Sequence, residues 1–240
     1  MRHSIVAIFL WLFVSSCAFA QSQGLDLGIA KSVPSGGSPT WTNQTSGVNA
    51  SCGFTTSCSV TGVTVPSGFI VVGVGGINEA SGASTVSSLT ACGTSLTLLA
   101  SPSAPNGGFL LAEFYGTVTG GSCTISATAS GTNAWNTMGV ALGELSNLTS
   151  TTPGTDCTGY YAASQNAPYP CTSSVTVASG GFAIAVFGYG ASATLTSTNL
   201  TIDSQQSTVA IGIGHAITTL TPTFGGGNFL QAAIVAAPWR

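Results

Sequence analysis

Short runs of β-branched and apolar residues, each broken by Gly, Pro, Ser or Asn, follow one another from Cys58 to the end of the chain. No segment keeps a helical period of 3.6 residues over three turns, so the pattern predicts an all-β fold. Cys123–Ala129 alternates between apolar and hydroxylated positions, whereas Phe182–Phe187 is apolar on both faces, which indicates a central strand. Because there are too many short segments for one open sheet, we predict a two-sheet antiparallel β-sandwich of jelly-roll type.

The N-terminal residues have the pattern of a secretory signal. A short basic end precedes the apolar run Ile5–Val14, and Ala18–Ala20 is a small-x-small cleavage site. The apolar run is too short to span a bilayer. We therefore predict a signal peptide over 1–20, a Gly/Ser/Pro-rich N-terminal extension over 21–57, and a single sandwich domain over 58–240.

The same leader leaves a second processing route open. Val14–Cys17 resembles the lipobox of bacterial lipoproteins, in which the cysteine is acylated and becomes the first residue. Either route predicts a secreted or cell-surface protein without a transmembrane segment in the mature chain, with a lipid anchor at Cys17 in the second case.

Six cysteines remain once Cys17 is set aside, and an even number in an exported chain indicates disulfides. They are Cys52, Cys58, Cys92, Cys123, Cys157 and Cys171. Sequence alone allows every pairing, and pairing between sequential neighbours is the simplest. The spacings do not match a zinc site or a redox motif, so we predict structural disulfides and no metal site.

The scarcity of charge excludes several classes of function. The chain has three Lys and Arg residues and six Asp and Glu residues. Nucleic-acid binding needs clustered basic residues to neutralise phosphates, so no nucleic-acid partner is expected. Nor does any motif for a phosphate or cofactor appear, and no cofactor is predicted.

Catalysis has few candidate residues. His215 is the single histidine after the signal, and its phase with Ile211 and Ile213 favours a core or strand-end position over a general base. Glu113 and Glu144 could form the carboxylate pair of a glycoside hydrolase, but a strand with two apolar faces does not fix which side chains point inward. We therefore assign no catalytic residues.

The loop 154–171 carries the candidate binding residues Tyr160, Tyr161, Asn166 and Tyr169. Aromatic faces and amide donors on a loop closed by a disulfide are suited to neutral ligands or protein partners. The alternative is that the tyrosines cover the edge of the sandwich.

Several segments together resemble a Gly/Thr-rich β-sandwich module of bacterial exported, cell-surface and phage-associated proteins. The resemblance is carried by Val65–Gly75, Val86–Thr97, Glu113–Tyr115, Leu148–Pro153 and the closing segment 228–238. It extends from Cys58 to the end and implies the fold, without an assigned activity or catalytic residues. The six cysteines and the loop 154–171 depart from the pattern.

These observations favour a non-enzymatic exported protein with a structural or interaction role. Low charge weakens the repulsion that keeps proteins monomeric, so we expect binding to itself, or to another surface or particle protein, through neutral contacts. The alternative is a lectin-like carbohydrate-binding module that stacks neutral glycans on tyrosines or on Trp41 and Trp135. A glycoside hydrolase is the third hypothesis.

Overall fold

The computed structural model describes residues 38–77, 83–104, 108–131, 134–162, 167–190, 194–206, 209–226 and 231–240, with the backbone alone at 45–48. The described residues form strands and no helix, and all strand pairs are antiparallel, which confirms the predicted all-β class. The predicted signal peptide, Cys17 and Asn166 lie outside the described residues.

The strands fall into two groups separated by the linker 147–156. The first group is β1 (Thr40–Thr55), β2 (Ser57–Val65), β3 (Gly68–Ile77), β4 (Val86–Ala91), β5 (Thr94–Ser95), β6 (Thr97–Ala100), β7 (Phe109–Val118), β8 (Gly121–Ala129) and β9 (Trp135–Ser146). The second is β10 (Cys157–Tyr161), β11 (Tyr169–Pro170), β12 (Phe182–Tyr189), β13 (Thr196–Ser197), β14 (Thr201–Gln206), β15 (Ile211–Ala216), β16 (Thr223–Gly225) and β17 (Ala232–Trp239).

The first group forms sandwich 1, residues 40–146. A five-stranded sheet, β1-β9-β3-β7-β6, packs on a four-stranded sheet, β2-β8-β4-β5. β1 lies within the segment predicted as an N-terminal extension. Register shifts between Asn43 and Thr45, and again before Val48 and Thr55, break the alternation of its side chains. That irregularity explains why residues 40–55 show no strand-like alternation of apolar and polar residues.

The second group forms sandwich 2, residues 157–239. Its five-stranded sheet, β10-β17-β12-β15-β14, packs on the three-stranded sheet β11-β16-β13. Phe187, Tyr189 and Phe224 are buried in the core between these sheets, where the ring of Tyr189 stacks on Phe224 and the ring of Phe187 packs on Phe224 at a tilt.

The two five-stranded sheets also face each other, so the fold has four layers where two were predicted. Along β3, Val72 points into sandwich 1 and Val71 points into the central layer between the sandwiches. Along β12, Ala185 and Val186 alternate in the same way. Strands that are apolar on both faces need cover on both sides, which a single pair of sheets cannot give to either member. The jelly-roll type stays a prediction.

Both sandwiches have the same strand order. The five-stranded sheet of sandwich 2 has the order β10-β17-β12-β15-β14, and each of its strands corresponds in turn to a strand of β1-β9-β3-β7-β6 in sandwich 1. In the smaller sheets, the strands β11-β16-β13 correspond in the same way to β2-β8-β4. Gly73 and Val186 hold equivalent positions on β3 and β12, and a Cβ atom on Gly73 would lie 2.4 Å from Val186 Cγ1. Contact between equivalent positions is the mark of a two-fold related interface, here formed within one chain.

Candidate functional site

The most connected polar cluster lies where sandwich 1 meets sandwich 2, around Asp203 of β14. The ring Nδ1 of His215 lies 2.8 Å from each oxygen of the Asp203 carboxylate, and Trp41 Nε1 donates to Oδ2 at 2.8 Å. The amide of Asn43 donates to the backbone carbonyl of Asp203 at 2.7 Å. Because Trp41 and Asn43 belong to β1, the cluster joins the edge strands of the two large sheets.

This geometry supports a structural role better than a catalytic one. An imidazole held by a carboxylate is the base and orienting group of many nucleophilic sites, but such a site also needs a hydroxyl or thiol on the other ring nitrogen. Within the described chain, the His215 ring has no hydrogen-bond partner besides Asp203. The His215 side chain keeps 24% of its surface exposed, and the expected strand-end position is the one observed.

Removing the Asp203 carboxylate tests whether this cluster helps to hold the two sandwiches together. Asp203→Ala leaves the donors of Trp41 and His215 without an acceptor, so we expect the free energy of unfolding to fall by about 2 kcal/mol in urea titrations. Asp203→Asn keeps one oxygen acceptor and should lose about half as much. Equal stability of the wild type and both variants would contradict this stabilising role.

Glu113 of β7 is the second unusual group. Its side chain is fully buried among the apolar residues of the central layer, and neither carboxyl oxygen has a hydrogen-bond partner among the residues that the structure describes. Burial holds the pKa of Glu113 well above the usual range of a glutamate, and the nearby negative charge of Asp156 raises that pKa further. The group therefore sits in the folded protein as a neutral carboxylic acid at pH values where an exposed glutamate has ionised.

Glu144 does not join Glu113. Glu113 shares the central layer with Leu111, whereas Glu144 has the phase of Leu142, which points into sandwich 1 on the opposite face of the same sheet. The oxygen Oε1 of Glu144 lies beside Gly68, at the end of β3. Two carboxyl groups on opposite faces of one sheet cannot flank a glycosidic bond, so the structure does not form the carboxylate pair considered from the sequence.

The tyrosines of loop 154–171 are largely used inside the protein. Tyr169 is 1% exposed and its ring packs on Phe224. Tyr160 is half-buried and donates to Gln231 Oε1 at 2.8 Å, and burial raises its pKa to about 12. Tyr161 donates to the carbonyl of Pro170. Covering the sheet edge, the alternative expected for these residues, describes them better. Asn166 lies outside the described residues.

Of the two tryptophans named as stacking faces, neither presents a free ring. Trp135 is fully buried, and Trp41 is engaged with Asp203 and packs over Gly143.

The three disulfides join sequential neighbours, as the simplest pairing predicted: Cys52–Cys58, Cys92–Cys123 and Cys157–Cys171. The first two lie within sandwich 1 and the third within sandwich 2. None links one sandwich to the other.

The outer face of the sheet β2-β8-β4-β5 is a surface of hydroxyl groups, which we call the hydroxyl face. One row across the four strands is Ser59, Ser126, Thr90 and Ser95, and the next row is Ser57, Thr128 and Ser88. The cross-strand pairs bond to each other, at 2.7 Å for Ser59 with Ser126 and 3.1 Å for Ser57 with Thr128. These four strands contain no Asp, Glu, Lys, Arg or His residue and no aromatic residue.

A cavity of about 400 Å³ lies beside the end of β17. Its lining includes the hydroxyl residues Ser150, Thr152 and Thr176, together with Arg240. Arg240 is the one Lys or Arg residue among those the structure describes.

In the described part of the chain, no cluster of three or more His, Cys, Asp or Glu residues is placed to hold a metal ion. The same part contains no helix long and apolar enough to cross a membrane. Comparison with family models, curated proteins and solved structures found no match to this chain.

Proposed function

We propose that the protein is an exported, non-enzymatic structural or interaction protein, with sandwiches of jelly-roll type, that associates with itself or with a surface or particle through uncharged contacts. The hydroxyl face carries this proposal, because it is an ordered sheet surface that offers hydrogen bonds and no charge. The few charged groups support the same reading. Glu113 is buried, and Asp203 is engaged with His215 and Trp41.

The edges of the sheets favour self-association. β2 is an edge strand of its sheet, and its nine residues contain neither a charged side chain nor a proline. Lysine, proline, inward-pointing charges and bulges are devices that protect an edge strand from pairing with another chain. Of these, β2 has only the register shift between Val60 and Val63, so its edge, next to a neutral face, is suited to contact with a second copy.

Sedimentation velocity at low and high salt tests the proposal. Neutral contacts are insensitive to screening, so the association constant should stay within about twofold between 20 mM and 500 mM salt. Ser59→Glu places an unpaired charge on the hydroxyl face and should weaken association at least about tenfold. Thr218→Glu adds the same charge at an exposed position elsewhere and serves as the control. A monomer under all conditions would contradict self-association.

A carbohydrate-binding function is the second candidate, and the cavity beside Arg240 favours it. Its volume lies in the range of small-molecule sites, and hydroxyl groups line it. Titration with neutral and acidic sugars, followed by the NMR signals of Ser150 and Thr176, would locate such binding. Unchanged signals throughout the panel would count against it.

A further inference from the structure

We infer that the central face of each sandwich is an exchange surface, through which sandwich 1 of one copy pairs with sandwich 2 of a second copy. This inference rests on the proposed self-association and adds a second surface to it, distinct from the hydroxyl face. The exchanged pair makes the same contacts that the closed monomer makes within one chain, which is the basis of domain swapping.

The surface is apolar and its fit is already demonstrated. Phe109 and Leu111 of sandwich 1, and Val186, Ile211 and Val235 of sandwich 2, are almost completely buried against one another in the central layer. An exposed patch of this kind is unstable in water, so a sandwich released from its partner must bind another. The complementary surface available at high concentration is the same face on a second copy.

The covalent structure permits the exchange. Each disulfide of the described residues lies within one sandwich, so within that part of the chain the linker 147–156 is the one covalent connection between the sandwiches. Backbone amides of Thr149, Ser150 and Gly154 donate to the carbonyls of Arg240 and Pro238, and Leu148 packs against the central layer, so these contacts must break before the linker extends. Once released, its ten residues span about 33 Å, enough for the sandwiches to separate and pair with those of a neighbour.

Glu113 destabilises the contact between the two sandwiches in the central layer. Strands β12 and β17, which face β7 across the central layer, contain no Asp, Glu, Lys, Arg or His residue that could neutralise its carboxylate. On the same side lie Asp156, whose charge opposes ionisation, and the phenols of Tyr160 and Tyr115. The ionised carboxylate of Glu113 is stable only when water reaches it, so alkaline pH favours separation of the two sandwiches at the central layer.

Ionisation changes the rate of exchange more than its equilibrium. Glu113 is buried both in the closed monomer and in the exchanged pair, so the cost of burial applies to each equally. The opened intermediate alone exposes the carboxylate to water. Raising the pH should therefore speed exchange, while protein concentration sets the final proportion of exchanged molecules.

The test uses two full-length preparations, one labelled with ¹⁵N, mixed at high concentration and followed by native mass spectrometry. We expect mixed dimers to form at least about tenfold faster at pH 9 than at pH 5. Glu113→Gln should make that rate vary by less than about twofold with pH. Glu144→Gln, on the other face of the same sheet, is the matched control and should retain the wild-type dependence.

A covalent lock separates exchange from other modes of association. In Gly73→Cys/Val186→Cys the new cysteines face each other between the two sandwiches, because a Cβ atom added at 73 would lie 3.1 Å from Val186 Cβ, slightly closer than the Cβ atoms of a disulfide. Oxidised as a monomer, this variant should dimerise clearly less than the wild type, because the exchanged dimer can no longer form, whereas oxidation after association should give covalent dimers. If the locked monomer associates like the wild type, exchange is overturned and edge pairing stands. If no variant associates at any concentration, self-association itself falls.

Discussion

Replacing Gly73 with alanine is expected to lower the free energy of unfolding by about 3 kcal/mol, measured by urea titration. The added Cβ atom would lie 2.4 Å from Cγ1 and 2.8 Å from Cγ2 of Val186, closer than carbon atoms approach in a folded protein. Val186 is fully buried and its strand is held between two neighbours, so the clash cannot be relieved by a simple rotation. Overpacking of a rigid core has costs of this size.

Two further variants show whether the loss comes from this contact. Gly190→Ala is the matched control, since its Cβ atom would meet Phe109 at an ordinary 3.9 Å, and its stability should change by less than about 0.5 kcal/mol. Val186→Ala removes the two methyl groups that oppose Gly73. The loss of stability in the double variant Gly73→Ala/Val186→Ala should be clearly smaller than the sum of the losses in the two single variants. Additive losses would show that the two sandwiches do not meet at this point.

The class of fold could be predicted from the sequence, while the number of layers was missed. The run Phe182–Phe187 is apolar on both faces and was read correctly as a strand covered on each side. The run Phe69–Val74 carries the same signal in the first half of the chain. Two such strands, far apart in sequence, cannot both be satisfied by one sandwich, and stacking two sandwiches is the arrangement that buries all four faces.

The internal repeat also has a trace in the sequence. Val63-Thr-Val-Pro-Ser-Gly-Phe69 and Val175-Thr-Val-Ala-Ser-Gly-Gly-Phe182 lead into the equivalent strands β3 and β12, with one extra glycine in the second. In a chain this rich in Gly, Ser, Thr and Val, so short a similarity does not stand out from the background. The repeated strand order gives it meaning.

The polar contacts between the two sandwiches could not be predicted from the sequence, for a physical reason. Asp203 sits at a register shift between Ile202 and Ser204, where alternation no longer says which face a side chain occupies. Its partner Trp41 is 162 residues away on a strand of the other sandwich. Contacts that depend on how two sandwiches dock cannot be deduced from the pattern within either one.

Glu113 shows the same limit and gives the second large effect. The position of β7 that corresponds to Glu113 is held by Ile213 in β15 of sandwich 2, where a buried residue is expected to be apolar. We expect Glu113→Ile to raise the free energy of unfolding at pH 8 by several kcal/mol, because it removes the cost of keeping a carboxyl group in an apolar layer.

The sign of the pH dependence distinguishes this cause from simple packing. The pKa of Glu113 is raised in the folded protein, whereas in the unfolded chain it lies near 4.3. Between these two values the folded state retains a proton that the unfolded state has lost, so stability is greatest below about pH 4 and declines as the pH rises towards the folded pKa. The slope is about 1.4 kcal/mol per pH unit from this group. Urea titrations of the wild type and Glu113→Ile between pH 4 and 9 should therefore diverge steadily, and Glu144→Gln should follow the wild type. Parallel curves for all three proteins would mean that the Glu113 carboxylate reaches water in the folded state.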